Sequence, residues 1–220
     1  MQNTTRKQYL HIAGKPILWH TLEAIGGCPE IDGIILVCPD EDMPFVRSDI
    51  IDTSRHRKKV KMMAGGVLRQ QSVSNGLNVL PDDTEIVLIH DGVRPFISSS
   101  LLSRCIRNAR QYKACIPGLP VMETLKKIDK DQNITSTVDR EYMWTAQTPQ
   151  VFSYEIIKKA HELAAMGQIV ETDDAALVEK MGIPVKIISG YRNNIKITTP
   201  EDLLLAEQIF ASFLAMDNPD

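Results

Sequence analysis

The sequence lacks several features, and each absence closes off a class of function. No apolar stretch approaches the roughly 20 residues that a membrane-spanning helix needs, and nothing at the N-terminus resembles a signal peptide. The four cysteines, Cys28, Cys38, Cys105 and Cys115, show no paired metal-ligand spacing. Two of them sit inside apolar runs that read as core strands, so buried free thiols in a reducing cytosol are the favoured reading. Neither a Gly-x-Gly-x-x-Gly fingerprint nor a P-loop is present, which argues against a nicotinamide-dependent dehydrogenase. An excess of positive charge is lacking too: the net charge is -3, and the basic residues are scattered apart from Arg55-His56-Arg57-Lys58-Lys59. That run reads as a solvated loop, with phosphate binding as the alternative, and the net charge gives no electrostatic footprint for nucleic acid. A soluble cytoplasmic protein is expected, with neither membrane nor nucleic acid as partner.

What is present suits one α/β domain spanning residues 1–220, of which 43% are apolar. Gly33-Ile34-Ile35-Leu36-Val37-Cys38 and Glu85-Ile86-Val87-Leu88-Ile89 are continuous apolar runs of strand length and predict strands covered on both faces. Val60-Lys61-Met62-Met63 is a weaker strand candidate. Helices are predicted from Pro16 through Ile25, from Arg69 to Leu80, and after the N-cap candidates Ser98-Ser99-Ser100. Further helices are predicted at Ser153 to Met166, Asp173 to Met181 and Pro200 to Phe213. Such alternation implies βαβ units and a mainly parallel sheet. Between residues 120 and 151 the pattern changes to short alternating runs, Thr124 to Ile128 and Ile134 to Val138, around the turn-rich Asp129-Lys130-Asp131-Gln132-Asn133. This is an inserted hairpin, and because a lone hairpin is marginal in water it should pack on something, such as a second subunit.

Three groups of residues bear on chemistry. In His90-Asp91-Gly92-Val93-Arg94-Pro95-Phe96, Asp91 follows a buried strand at its carboxyl end, where open α/β sheets place ligands. A carboxylate there suits Mg²⁺ shared with substrate phosphates, while a bare Asp-Gly more often caps a turn, with Arg94 as a surface partner. Gly65-Gly66, between a strand candidate and a helix, would bring backbone groups against a flat ligand or a phosphate, with Ser72 adding a hydroxyl; a plain strand-to-helix turn is the bland alternative. Arg140, Thr148, Thr172 with Asp173-Asp174, and Lys196 with Thr198-Thr199 would singly be caps, turns or solvated faces.

Taken in order, these blocks resemble the 2-C-methyl-D-erythritol 4-phosphate cytidylyltransferases of the non-mevalonate isoprenoid pathway. The resemblance is carried by Lys7-Gln8-Tyr9, Gly65-Gly66 with Arg69 and Ser72-Val73, His90 to Phe96, Thr137 to Arg140, Thr148-Pro149-Gln150, Thr172 to Ala175, and Asn194 to Thr198 with Pro200 to Leu203. It implies a Rossmann-like nucleotidyltransferase fold with a β-arm at 120–151, used in a homodimer. The reaction implied is transfer of CMP from CTP to a sugar-alcohol phosphate, with Mg²⁺. By the same resemblance Lys7 would sit over the α-phosphate, and Asp91, with Gly92 and Arg94 beside it, would hold the metal and the nucleotide. Gly65, Gly66 and Ser72 would read cytosine. Thr124, Arg140, Thr148, Thr172 and Lys196 would surround the acceptor phosphate, Thr124 and Arg140 reaching in from a partner's arm, and Lys7, Arg140 and Lys196 carry the catalytic charge. A D-ribitol-5-phosphate cytidylyltransferase and a non-catalytic homologue are the rival readings.

Two departures qualify the match. Asn193-Asn194 place amides where a second acid for metal would be expected. The family also begins with a strand and a glycine-rich loop ahead of the Lys-Gln-Tyr block, where this chain has Met1-Gln2-Asn3-Thr4-Thr5-Arg6. Met1 is therefore read as an internal methionine or the start of a truncated chain, with two neighbouring strands left unpaired on facing edges and little or no activity expected.

Overall fold

The computed structural model describes residues 6–217, with side chains as far as residue 212; Met1 to Thr5, on which the reading of the chain's start rests, lie outside the described residues. Lys7–Tyr9 form one 3-10 turn, and a short antiparallel pair, β1 (His11–Ile12) and β2 (Lys15–Pro16), leads into α1 (Ile17–Gly26). Pro16 is the residue before the helix, one position earlier than expected, and ends β2. β3 (Ile34–Cys38) is followed by α2 (Met43–Phe45), which runs into a π-helical stretch, Val46–Ile51, that no sequence pattern announced. Lys59, at the end of the basic run, is not solvated as expected: its Nζ donates to the carbonyls of Gly26 and Ile31 at 3.4 and 2.7 Å. The carbonyls after a helix end lack partners, and a lysine supplies both charge and donors there.

β4 (Val60–Ala64) pairs in parallel with β3, and α3 (Arg69–Leu77) follows. The helix stops short of the predicted Leu80 because Leu80 precedes Pro81, whose ring disfavours a helical residue before it. β5 (Ile86–Ile89) leads to α4 (Ser99–Tyr112), where the Ser98 hydroxyl accepts from the Leu101 amide at 3.3 Å, the predicted N-cap. β6 (Ala114–Pro120) is a strand missed in the sequence. Next come the predicted hairpin, β7 (Leu125–Ile128) and β8 (Ile134–Val138), and then β9 (Trp144–Ala146), which returns to β6. β10 (Gln150–Ser153), α5 (Tyr154–Met166), α6 (Asp174–Lys180), β11 (Lys186–Ser189) and α7 (Pro200–Asp217) complete the chain.

The main sheet has the order β11-β6-β10-β5. β11 is parallel to β6, β10 is antiparallel to both of its neighbours and β9 is antiparallel to β6, so β5, β6 and β11 run one way and β9 and β10 the other. Alternation along the strands serves two cores: Phe152, Ala114 and Ile116 face α3, α5 and α6, while Val151 and Cys115 face α4. All four cysteines are buried and free, as expected.

The β3–β4 pair forms a separate sheet. Among the described residues β3 has no partner besides β4, and β5 none besides β10. Between them lies a cavity of about 960 Å³, lined by Ile34, Leu36, Val87 and Ile89 and floored by Leu22 and Val73. Along these edges half of each strand's backbone groups lack a ladder partner among the described residues. Amides of β3 and β5 should therefore exchange with solvent faster than those of β6 and β10, which are bonded along both edges. Native-state hydrogen exchange resolved by residue checks this, and equal protection of the four strands would contradict open edges.

Candidate active site

The carboxyl end of β5 sets the site. After Ile89 the chain turns, with the Arg94 amide donating to the Asp91 carbonyl at 3.1 Å. β10 lies alongside with Gln150 opposite Ile89, which brings Thr148 against the turn. The Asp91 amide donates to Thr148 Oγ1 at 3.1 Å, that hydroxyl meets His90 Nδ1 at 3.0 Å, and His90 Nε2 lies 3.1 Å from the Arg94 carbonyl. A carbonyl only accepts, so Nε2 carries the proton and Nδ1 accepts from threonine; the chain of bonds is complete with a neutral imidazole. Burial is the main reason that His90 is pulled down to about 4. Gly92 permits the close approach of α1: a Cβ there would lie 2.9 Å from Leu18 Cδ1, and Thr21 donates to the Gly92 carbonyl at 3.0 Å.

Three cations converge on Asp91. Lys196 Nζ lies 3.1 Å and Arg94 Nε 3.2 Å from Oδ2, and Arg69 Nε lies 3.9 Å from Oδ1. Burial pushes the Asp91 carboxyl up, but Lys196, by charge and hydrogen bond, and then Arg94 and Arg69 outweigh it and hold the group below its ordinary value. Arg94 is itself buried, not a surface partner, and its Nη1 donates to the Asn194 carbonyl at 2.7 Å. The Ile197 amide donates to the Val93 carbonyl at 3.0 Å. Lys196 thus stands between two anchors on the segment after β11, which explains why a residue so distant in sequence reaches Asp91. Asn194 is fully buried, with Nδ2 donating to the Thr148 carbonyl at 2.9 Å. Its amide locks this segment and does not stand in for a second acid.

The Gly65-Gly66 turn joins β4 to α3 beside this cluster. The Gly65 amide donates to the Cys38 carbonyl at 2.8 Å, and the Gly66 amide to Ser72 Oγ at 3.0 Å. A Cβ on Gly66 would fall 2.4 Å from Gln71 Cβ, so the turn requires glycine there. Both amides are spent, on the end of β3 and on α3, so the groups these two residues can offer a ligand are their carbonyls. The cavity between β3 and β5 opens onto Arg69, Ser72, His90, Asp91 and Gly92.

Of the predicted site residues, the fold thus gathers Gly65, Gly66, Ser72, Asp91, Gly92, Arg94, Thr148 and Lys196. The Thr148 hydroxyl is turned inward on Asp91 and His90. Thr172 and Lys7 are exposed, Lys7 on the 3-10 turn. Thr124 and Arg140 stay on the exposed arm, where Arg140 Nη1 donates to the Met122 carbonyl. Neither hydrogen-bonds to the Asp91 cluster.

A sequence profile for 2-C-methyl-D-erythritol 4-phosphate cytidylyltransferases matches residues 1–212. The chain belongs to this family. The cytidylyltransferase of that name from Syntrophus aciditrophicus is 47% identical over 207 residues, covering 94% of this chain and 88% of the relative. That of Caldanaerobacter subterraneus is 44% identical, with 94% and 91% covered. Among solved structures, the 4-diphosphocytidyl-2C-methyl-D-erythritol synthase of Anaerococcus prevotii superposes with a TM-score of 0.85 at 34% identity, covering 94% of this chain and 90% of the other. The Thermus thermophilus cytidylyltransferase gives a TM-score of 0.80 at 30% identity, with 93% and 94% covered.

Within this cytidylyltransferase, sequence reasoning assigned no role to Arg69, His90 or Asn194. His90 enters the sequence reading only as part of a motif block and Asn194 as part of another and as an amide in place of an acid, and their inward bonding has no signal in a linear pattern. His90 also gives the site a pH signature. Its value in the fold, about 4, lies below the ordinary 6.5, so its contribution to stability is complete above pH 6.5 and is lost as pH falls towards 4. The loss is on the order of 2–3 kcal/mol. Urea denaturation across that range should show this slope in the wild type and a flatter one in His90→Gln.

Proposed function

We propose that this chain transfers CMP from CTP to 2-C-methyl-D-erythritol 4-phosphate, giving 4-diphosphocytidyl-2-C-methyl-D-erythritol and pyrophosphate in isoprenoid biosynthesis. The observation that carries the reading is the convergence of Lys196, Arg94 and Arg69 on one carboxylate beside the Gly65-Gly66 turn, in a member of this family. Displacement at the α-phosphorus is helped mainly by positioning and charge. The free carbonyls of Gly65 and Gly66 accept from the cytosine amino group and repel the oxygen that uracil has in its place. Arg94, locked by Asn194, stays with Asp91. Lys196 is more exposed, with 41% of its side chain accessible, and is the partner able to leave Asp91 for the acceptor phosphate. Lys7, exposed on its 3-10 turn, is assigned to the α-phosphate, where it offsets developing charge.

Asp91 is the carboxylate that would hold Mg²⁺. Among the described residues no cluster of three or more ligating side chains exists, so the donor set fits a cation that shares its shell with substrate phosphates and does not fit an all-protein cage. Mg²⁺ so bound would neutralise phosphate charge. Residues 1–220 act as one catalytic domain, and the arm at 120–151 serves a homodimer. Its exposed Met122, Ile128, Ile134, Tyr142 and Trp144 would be covered by a second subunit, which would also bring Thr124 and Arg140 to the partner's acceptor phosphate beside Thr148 and Thr172. No helix among the described residues is long and apolar enough to cross a membrane, and the four buried thiols accord with the reducing cytoplasm.

Pyrophosphate release tests the reading. It should require CTP and 2-C-methyl-D-erythritol 4-phosphate, with D-ribitol 5-phosphate inert. Replacing Lys196 with Gln should lower kcat by about 10²–10³. Release from ribitol phosphate alone, or an unchanged rate for Lys196→Gln, would exclude the proposal.

A further inference from the structure

Arg69 stands between two carboxylates. Its Nη1 donates to Asp174 Oδ2 at 2.8 Å, while its Nε lies 3.9 Å from Asp91 Oδ1. A guanidinium within reach of an aspartate gains by closing on it in a forked pair, so the longer distance needs a cause. Asp174 supplies one. It is 1% exposed, and its second oxygen meets Nε2 of the buried His161 at 3.0 Å. The Asp174 amide donates to Gln150 Oε1 at 2.9 Å, which fixes the start of α6. Gln70 ties the neighbouring residue of α3 to the same segment: its Nε2 donates to the Ile169 carbonyl at 2.9 Å, and its Oε1 accepts from the Glu171 amide at 3.1 Å. Removing the cation from a carboxylate buried this deeply would leave an uncompensated charge, so Asp174 binds Arg69 more firmly than the better-compensated Asp91 does.

We propose that Asp174, steadied by His161, is a positioning residue for Arg69: it tethers the guanidinium off Asp91 and holds it at the mouth of the cavity, where it can receive an anionic part of the nucleotide. The anion assigned to Arg69 rests on the nucleotide reading above; the tether does not. A purely structural role is the competing account, because an acid in the first turn of α6 also favours the helix dipole.

The test uses the whole chain with ¹⁵N-labelled arginine, the Arg69 signals being assigned by their loss in Arg69→Lys. In the wild type without nucleotide the Arg69 Nη protons should be resolved through slow rotation. In Asp174→Asn they should average and the Nε signal should shift, and His161→Gln should give a smaller change in the same direction. The Kd for CTP by calorimetry should rise about tenfold in Asp174→Asn and in Arg69→Lys, and no further in the double variant. Arg69 signals unchanged in Asp174→Asn, or in His161→Gln should the first variant not fold, overturn the tether. Additive losses of CTP affinity overturn action through Arg69. If the wild type binds no CTP, the nucleotide reading fails, and the nucleotide-free signals still decide the tether.

Discussion

A single carboxylate kept ionised at the end of a strand is the constraint around which the rest of this site is arranged. Asp91 sits where burial alone would favour its neutral form, and three cations reverse that preference. Each cation is delivered by a different part of the chain: Arg94 by the turn itself, Lys196 by the segment after β11, and Arg69 by the first turn of α3. Asn194 and the Val93–Ile197 backbone bond hold the second of these, and Asp174 holds the third. Disturbing any of these supports moves charge relative to Asp91.

The neutral side of the site is built with equal economy. Thr148 and His90 pass one set of hydrogen bonds from the Asp91 amide to the Arg94 carbonyl without a net charge. That arrangement restrains both ends of the 91–94 turn and leaves the carboxylate as the group that answers to the cations. The Gly65-Gly66 turn follows the same logic, its amides satisfied by Cys38 and Ser72 so that only acceptors remain on offer.

Much of the fold was legible in the sequence. The apolar runs at 34–38 and 86–89, the Ser98 cap and the hairpin at 125–138 were all readable, because each is written locally, as an unbroken apolar run, a capping residue type or an alternation around a turn. β6, β10 and β11 were not. β6 carries Pro117 and Gly118, which argue against a strand, and β10 and β11 each hold only two adjacent apolar residues between polar ones, unlike the unbroken four of β5. The basic run at 55–59 is a largely exposed loop, as its composition indicates, and Lys59 alone departs: it is recruited by the end of α1, which lies next to it only in space.

Taken by itself, the sequence determined the α/β class and the family, since these depend on residue type and on neighbours along the chain. Only the tertiary structure decided what each side chain does with its charge. Arg94 is buried and locked, Thr148 faces inward, Asn194 secures a loop, and Arg69 is shared between Asp174 and Asp91 across roughly a hundred positions of sequence on one side. Electrostatic and hydrogen-bond energies fall off within a few ångströms, so they follow distances that the folded chain creates and that no linear spacing contains.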